Sequence, residues 1–322
     1  MSAKGFFKNL NLGMRSTPLE TLENKYCDKD SKFITIDGTR VHYKDHGTGP
    51  VLVLLHGVVS FLHTWDGWCE ELKDHYRIIR LDMPGWGITG PTKNERYLRE
   101  DINKFLDAFL GALKIDRCFL AGNSLGAFYA WNYTVHRPEK VEKLVLLDPI
   151  AYNQSLPYEF KLVKIPGVKP MINNLFLPRL FIRSSIQRLY GRKERIAPRV
   201  YDQYWENIMR DGNRRTLTKV FHFIAEMSKS DTIYRDVKKI KAPVLMAWGD
   251  KDIWSRWPET LEHWKRDLPH AEVILYKDCG HMPMEELPVE TARDAHNFFM
   301  KERATTMKKK PEQAVKAKKK RK

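Results

Sequence analysis

A serine between two glycines stands where a nucleophile could be presented to a substrate. Gly122-Asn123-Ser124-Leu125-Gly126 follows the apolar run 117–121 and opens a second apolar run at 126–136. In the pattern G-x-S-x-G, a sharp turn from strand to helix exposes the serine hydroxyl, and the flanking glycines avoid collisions with neighbouring backbone. The pattern predicts Ser124 as a nucleophile. The alternative interpretation is a small-residue turn used only for packing.

A serine hydroxyl attacks a carbonyl group only when a nearby base takes its proton and a carboxylate orients that base. Both kinds of group follow later in the chain, each after a further apolar run: first Asp250 and Asp252, then His281. Their positions are at the carboxyl ends of predicted parallel strands, which is the edge where open α/β sheets bind ligands. The spacing therefore predicts that Ser124, an aspartate and His281 converge.

Short β-branched and leucine-rich runs alternate with stretches that have apolar residues at helical spacing. This alternation predicts an α/β protein with a mostly parallel sheet and helices on both faces. Two alternating segments around Asp37-Gly38 predict that an antiparallel hairpin opens the sheet. The predicted buried strands are 51–55, 76–81, 117–121, 143–148, 243–248 and 272–276, and the predicted packing helices are 101–113, 126–136 and 289–300.

The alternation divides the chain into four parts. Residues 1–31 are predicted to be an N-terminal extension, and residues 32–150 together with 236–300 form the predicted α/β core. At 151–235 the alternation lapses into a sequence rich in proline, arginine and aromatic residues, which indicates an inserted helical lid. Residues 301–322 have too few apolar side chains to bury a face, so we expect a disordered, lysine-rich tail.

The 322 residues carry a formal net charge of +16, whose distribution argues against a nucleic-acid-binding core. Residues 301–322 hold eleven lysines and arginines against two glutamates, and 151–235 hold sixteen against seven acidic residues, so the remainder is nearly neutral.

No apolar run approaches the about 18 residues of a membrane span, and the start of the chain lacks a signal-peptide pattern. Four cysteines without a CxxC pair fit a reducing compartment. We expect a cytoplasmic protein, at most peripheral to a membrane.

The chain from about residue 32 to residue 300 resembles the α/β-hydrolase-fold serine hydrolases. In that family the same short motifs occur in the same order. The matching segments are His56-Gly57, Asp82 to Gly87, the glycine-flanked Ser124, Gly249 to Asp252, and Gly280-His281 followed by Glu286 and Pro288. The resemblance implies esterase-like or lipase-like chemistry with an inserted cap, and neither a metal nor an organic cofactor.

The resemblance also implies a role for each member of the site. The catalytic acid of the family is the second aspartate of a G-x-x-D motif, here Asp252, and Asp148 at the end of another strand is the alternative. The backbone N–H groups of Val58 and Leu125 are implied to hold the oxyanion. His56 comes too early in the chain for the base in the expected order, so we expect it to hold its loop.

An apolar cluster early in the predicted lid is a candidate acyl pocket. Its residues stand at helical spacing, which would serve equally well to pack the lid onto the core. We expect the pocket to include Met171, Leu175 and Phe176 from this cluster, together with His56 and Met282 from the core.

These features favour hydrolysis of a small-molecule ester, with two alternatives. One is hydrolysis of C–C bonds in vinylogous diketones; enzymes of this fold with that activity also place a serine in a G-N-S-x-G setting, but usually have Trp after the histidine, where this chain has Met282. The other is a catalytically inert protein that binds anionic surfaces through its basic lid and tail. The tail by itself is expected to contact anionic membranes or nucleic acid only weakly.

Overall fold

The computed structural model describes residues 13–230 and 232–301 of the chain. The predicted tail, except for Lys301, lies outside the described residues. The described part of the predicted N-terminal extension contains one helix, α1 (Leu19–Tyr26). Within the described ranges, no helix has both the length and the apolar character that crossing a membrane would require.

One sheet of eight strands forms the centre of the protein. Its strands are β1 (Ser31–Ile36), β2 (Thr39–His46), β3 (Val51–Leu55), β4 (Arg77–Leu81), β5 (Cys118–Asn123), β6 (Val141–Leu147), β7 (Val244–Gly249) and β8 (Glu272–Tyr276). Their order across the sheet is β1-β2-β4-β3-β5-β6-β7-β8. The β1/β2 and β2/β4 pairs are antiparallel and the others are parallel, which confirms the predicted fold class.

The first hairpin turns where the sequence predicts. Ile36 pairs with Thr39, which leaves Asp37 and Gly38 as the two turn residues. Their φ angles are 47° and 74°, both in the left-handed region. A two-residue turn of this kind matches the right-handed twist of the paired strands and favours Asp-Gly, so local chemistry fixes the register of this hairpin.

Helices cover both faces of the sheet. All six residues of β5 and all six of β7 are buried, which requires a packed layer on each side and explains why these strands are continuous apolar runs. The helices after α1 are α2 (Asp66–Leu72), α3 (Arg99–Ala112), α4 (Leu125–His136), α5 (Tyr158–Leu162), α6 (Arg179–Leu189), α7 (Pro198–Met209), α8 (Asn213–Met227), α9 (Trp257–Asp267), α10 (Pro283–Glu286) and α11 (288–301). Shorter helical turns lie at Leu62–Trp65, Val168–Pro170, Met171–Leu175, Lys193–Arg195 and Ile233–Lys239.

The helices α5 to α8 lie between β6 and β7 in the chain, and we call residues 158–239 the inserted helices. They contact the core through two adjacent carboxylates. Glu285 accepts hydrogen bonds from the hydroxyls of Tyr190 and Tyr204, and Glu286 accepts one from the Gly191 N–H at 3.0 Å. These contacts place the inserted helices over the loop that follows β8. The boundaries 151–235 of a separate lid remain a prediction.

Close backbone packing at the end of β5 depends on a residue without a side chain. A Cβ atom on Gly126 would lie 2.2 Å from the Leu55 carbonyl oxygen, whereas a Cβ on Gly111, in the exposed face of α3, would meet nothing within 4 Å. We expect Gly126→Ala to lower the free energy of unfolding by about 1–3 kcal/mol, because backbone must shift to admit the methyl group. Gly111→Ala should raise it by about 0.5–1 kcal/mol through helix propensity.

Urea denaturation followed by circular dichroism measures both effects. Equal stabilities of the two variants would contradict this account of the turn.

Candidate active site

Ser124 occupies a strained turn between β5 and α4. Its φ and ψ are 54° and −116°, a conformation that costs a residue with a side chain on the order of 1–3 kcal/mol. The flanking glycines make the turn possible, because a Cβ on Gly122 would lie 2.4 Å from the Gly126 carbonyl oxygen. The surrounding structure therefore holds the serine at the carboxyl edge of the sheet, as the G-x-S-x-G pattern predicts.

His281 and Asp252 form a buried hydrogen-bonded pair in the loops after β8 and β7. The Nδ1–H of His281 donates to Asp252 Oδ2 over 2.8 Å. The backbone N–H groups of Trp254 and Ser255 donate to the same carboxylate over 2.7 and 3.1 Å. Because these bonds fix the carboxylate, it orients the imidazole ring and leaves Nε2 as the nitrogen that can accept a proton.

The backbone of His281 is held from both sides. Its N–H donates to the Leu189 carbonyl of the inserted helices over 2.6 Å, and the Asn123 side-chain amide donates to its carbonyl over 3.0 Å. Glu286 accepts the N–H of the preceding Gly280 over 2.6 Å. The ring of Trp254 stacks on the imidazole with centroids 6.2 Å apart. The ring position is thus set by β5, by α10 and by the inserted helices together.

Ser124 and His281 line the same cavity, between the sheet edge and the inserted helices. Within the described residues no hydrogen bond joins their side chains. Hydrogen bonds between a nucleophile and its base are often long before a substrate binds, so the missing bond is compatible with a catalytic pair. The cavity is lined by Gly57, Val58, Val59, Ser60, Asn123, Ser124, Glu159, Phe181, Ile182, Ser185, Ile186, Leu189, Tyr204, Ile208, Leu217, Phe221, Trp254, His281 and Met282.

The described wall of this cavity is mainly apolar. Among the described residues that line it, Glu159 is the one carboxylate, and none is a lysine or arginine. An apolar, concave wall with a few polar groups favours a ligand with a neutral, apolar portion.

The predicted oxyanion donors lie beside Ser124. Val58 is part of the cavity wall. Leu125 is the first residue of α4, so the helix itself leaves its N–H without an acceptor four residues earlier. Both N–H groups are therefore candidates to hold a negatively charged oxygen bound next to Ser124.

The predicted pocket residues need correction, since only Met282 lines the cavity. Met171, Leu175 and Phe176 are absent from its wall. They belong to a π-helical turn and the residue after it, where Leu175 is exposed and Asn173 accepts a hydrogen bond from Thr218 of α8. From the same part of the chain, Phe181 and Ile182 of α6 line the cavity instead.

His56 also lies outside the cavity wall and holds its loop. Its Nε2 accepts the Met83 N–H over 2.9 Å, and its Nδ1–H donates to the Gly57 carbonyl over 2.8 Å. Burial lowers the pKa of His56 to about 4, so the ring is neutral near pH 7. These bonds brace the loop that contains Val58.

Asp148 lies beside the His281–Asp252 pair with no exposed surface. Its Oδ1 accepts the Gly249 N–H over 3.1 Å, and its carboxyl group lies close enough to Asp252 to donate a hydrogen bond to that carboxylate when Asp148 is protonated. Side-chain atoms of Asp148, Asp252 and His281 lie within 4.8 Å of one another, a grouping that could also surround a metal ion. Burial and the nearby Asp252 carboxylate raise the pKa of Asp148, which favours its neutral, protonated form.

Several residues of the site give no signal in the sequence. Trp254, Tyr204 and Glu159 reach the cavity from three separate segments whose packing no short motif encodes. Asn123 stands in the variable position of G-x-S-x-G, so the motif marks its place but not its bond to the His281 carbonyl.

Comparison with known proteins agrees with this architecture. Residues 50–288 match the family described as alpha/beta hydrolase fold. A 2-hydroxy-6-oxononadienedioate/2-hydroxy-6-oxononatrienedioate hydrolase of Burkholderia vietnamiensis is 30% identical over 78% of this chain and 89% of its own. A 2-hydroxy-6-oxo-6-phenylhexa-2,4-dienoate hydrolase of Burkholderia cepacia is 26% identical over 78% and 90%. A thermophilic esterase from Thermogutta terrifontis superposes with a TM-score of 0.68 at 22% identity, covering 84% of this chain and 98% of its own.

The two neighbouring aspartates can be told apart by isosteric substitution. Asp252→Asn should lower kcat for a reactive ester on the order of 10³–10⁴-fold, because the amide cannot keep the imidazole in the required tautomer. Asp148→Asn should retain most of the activity, because its amide resembles a protonated acid. If steady-state kinetics showed the larger loss of kcat for Asp148→Asn, the carboxylate that orients the imidazole would be Asp148.

The raised pKa of Asp148 gives a second, pH-dependent test. In the unfolded chain its carboxyl group ionises near pH 4, whereas the folded protein favours the protonated form, so its contribution to stability is lost as pH rises above that value. The unfolding free energy of Asp148→Asn relative to the parent should therefore increase between pH 4 and pH 8. Urea denaturation at several pH values measures this difference, and a difference that falls with pH would contradict the assignment.

Proposed function

The chain belongs to the α/β-hydrolase fold family, and we propose that it is a serine hydrolase that cleaves carboxylic esters. The observation that carries the proposal is a strained serine that lines the same cavity as His281, whose ring is hydrogen-bonded to the buried Asp252. An inert scaffold has no need of all three groups. Their arrangement therefore favours catalysis over simple binding to an anionic surface.

The proposed reaction proceeds in two steps. Ser124 Oγ attacks the ester carbonyl while His281 Nε2 takes its proton, and the N–H groups of Val58 and Leu125 hold the oxyanion. The tetrahedral intermediate collapses as His281 returns the proton to the departing alcohol, which leaves an acyl group on Ser124. Water then attacks the acyl group by the same route, with His281 as base and then as acid, and releases the carboxylic acid.

The charge of the cavity favours a neutral ester over an acidic substrate. The relatives from Burkholderia are named for dienoate and dienedioate substrates, which carry one or two carboxylates. In this chain the described wall holds a carboxylate, Glu159, and no lysine or arginine to balance a second negative charge. Bringing an anion into that apolar wall costs desolvation free energy and gains no ion pair in return.

Hydrolysis of C–C bonds in such dienoates is the second candidate. Its support is the name of the relative that is 30% identical to this chain over 275 residues. The same serine, histidine and aspartate would serve that reaction. Activity on substrates of both kinds is therefore the informative comparison.

We expect p-nitrophenyl esters of unbranched acids to be hydrolysed with a higher kcat/KM than 2-hydroxy-6-oxo-6-phenylhexa-2,4-dienoate. Ser124→Ala should lower kcat on the order of 10⁴-fold or more, because it removes the nucleophile. Ser184→Ala, on the exposed face of α6, is the matched control and should keep the parental rate.

Labelling with a fluorophosphonate separates catalysis from binding, since only an activated serine reacts. We expect stoichiometric labelling of the parent and none of Ser124→Ala. Preferential turnover of the dienoate would favour the C–C hydrolase, and parental ester hydrolysis by Ser124→Ala would refute the nucleophile.

A further inference from the structure

Glu159 is a buried carboxylate in the wall of the cavity that contains Ser124. It lies in the first turn of α5, and only 3% of its surface is exposed. Its neighbours in the wall include Phe181, Ile182 and Phe221. Because a buried carboxylate among apolar side chains is costly without partners, this residue needs a physical explanation.

The partners of Glu159 all bind one of its two oxygens. Arg188 Nη1 donates to Oε1 over 2.5 Å, and Ser185 Oγ donates to the same atom over 3.2 Å. In the part of the chain that the structure describes, Oε2 is buried without any hydrogen-bond partner. Leaving such an atom unpaired costs about 1–3 kcal/mol, so a donor from outside the protein chain would bind there favourably.

The charge of the Glu159–Arg188 pair determines which kind of hydrogen-bond donor can bind at Oε2. The Arg188 guanidinium balances the Glu159 carboxylate, and Arg188 is not part of the cavity wall. The pair therefore gives a residue of the cavity wall an acceptor oxygen without a full uncompensated charge, which a ligand reaches when the carboxylate turns toward the cavity. This suits a neutral hydroxyl group, which can donate a hydrogen bond to Oε2. A substrate carboxylate at the same place has no proton to donate, so two acceptor oxygens would face each other.

We propose that Glu159 Oε2 forms a subsite for a hydroxyl group on the acyl chain of the substrate. The proposal rests on the proposed esterase function and narrows its substrate class to esters of hydroxylated, otherwise apolar acids. Phe181, Ile182 and Phe221 contact the hydrocarbon part of the chain, and Glu159 accepts the hydrogen bond from its hydroxyl. Glu159 then determines specificity and takes no part in the bond-breaking steps.

A series of matched esters tests the subsite. The substrates are p-nitrophenyl octanoate and its 3-, 6-, 7- and 8-hydroxy derivatives, because the 4- and 5-hydroxy esters cyclise spontaneously. The measured quantity is the ratio of kcat/KM for each hydroxylated ester to that for octanoate. For the parent we expect a ratio of about 10 at the position that reaches Glu159, which corresponds to one hydrogen bond worth about 1.4 kcal/mol.

Variants of Glu159 test whether its side chain causes the higher kcat/KM for the hydroxylated ester. Glu159→Met should lower the ratio to about 1, and Glu159→Gln, whose neutral amide is a weaker acceptor, should give an intermediate value. Glu226→Met is the matched control on α8, where the side chain is 57% exposed and paired with Lys164, and it should keep the parental ratio. If Glu159→Met does not fold, the isosteric Glu159→Gln still tests the subsite, because its ratio should lie below the parental one.

A parental ratio near 1 for every ester would overturn the subsite, and so would a high ratio that persists in both Glu159 variants. Either result leaves the esterase intact if octanoate is hydrolysed in a Ser124-dependent manner. If no ester is hydrolysed, the proposed function fails separately, and calorimetric binding to Ser124→Ala still tests the subsite. There, 1,8-octanediol should bind more tightly than 1-octanol, and equal affinities would refute the proposal.

Discussion

The hydrogen bond from His281 to Asp252 is the interaction on which the rest of the structure depends. It joins two loops that are 29 residues apart in the chain, after neighbouring parallel strands β7 and β8. It fixes which imidazole nitrogen carries the proton, and so makes the other nitrogen available to a serine three strands away across the sheet. The sheet order, the turn at Ser124 and the contacts of the inserted helices all act to bring these groups to one cavity.

Several costly features cluster around this bond. Ser124 has a strained backbone, the buried carboxyl group of Asp148 lies against the Asp252 carboxylate, and Glu159 has a buried oxygen without a partner among the described residues. A fold selected only for stability would replace such groups with packed apolar side chains. Their concentration at one edge of a well-packed sheet indicates that the surrounding core stabilises a site whose local arrangement is unfavourable.

The sequence predicts the scaffold because its signals are local. The apolar runs mark the strands, Asp37-Gly38 marks the hairpin, and the glycines around Ser124 mark a turn packed too closely against backbone to admit a side chain at their positions. Parallel strands bring their carboxyl ends to one edge, so the proximity of Ser124 and His281 also follows from spacing.

The cavity wall is less predictable, because it depends on which side of each inserted helix faces the core. Met171 and Phe181 are both apolar and ten residues apart, yet Phe181 in α6 lines the cavity and Met171 in the π-helical turn does not. The partners of Asp148 and Glu159 come from distant segments, so no spacing rule identifies the hydrogen bonds that each carboxyl group makes. Tertiary packing determines which side chains line the cavity and which hydrogen bonds the buried carboxyl groups make.

Trapping of the acyl-enzyme tests the central claim most directly. The parent protein is mixed with p-nitrophenyl octanoate, quenched in acid within milliseconds, digested, and analysed by peptide mass spectrometry. We expect an octanoyl group on Ser124 during turnover, formed with release of one p-nitrophenol for each acylated enzyme molecule. Release of p-nitrophenol with the acyl group on another residue, or turnover with no acyl group on Ser124 at any time, would contradict it.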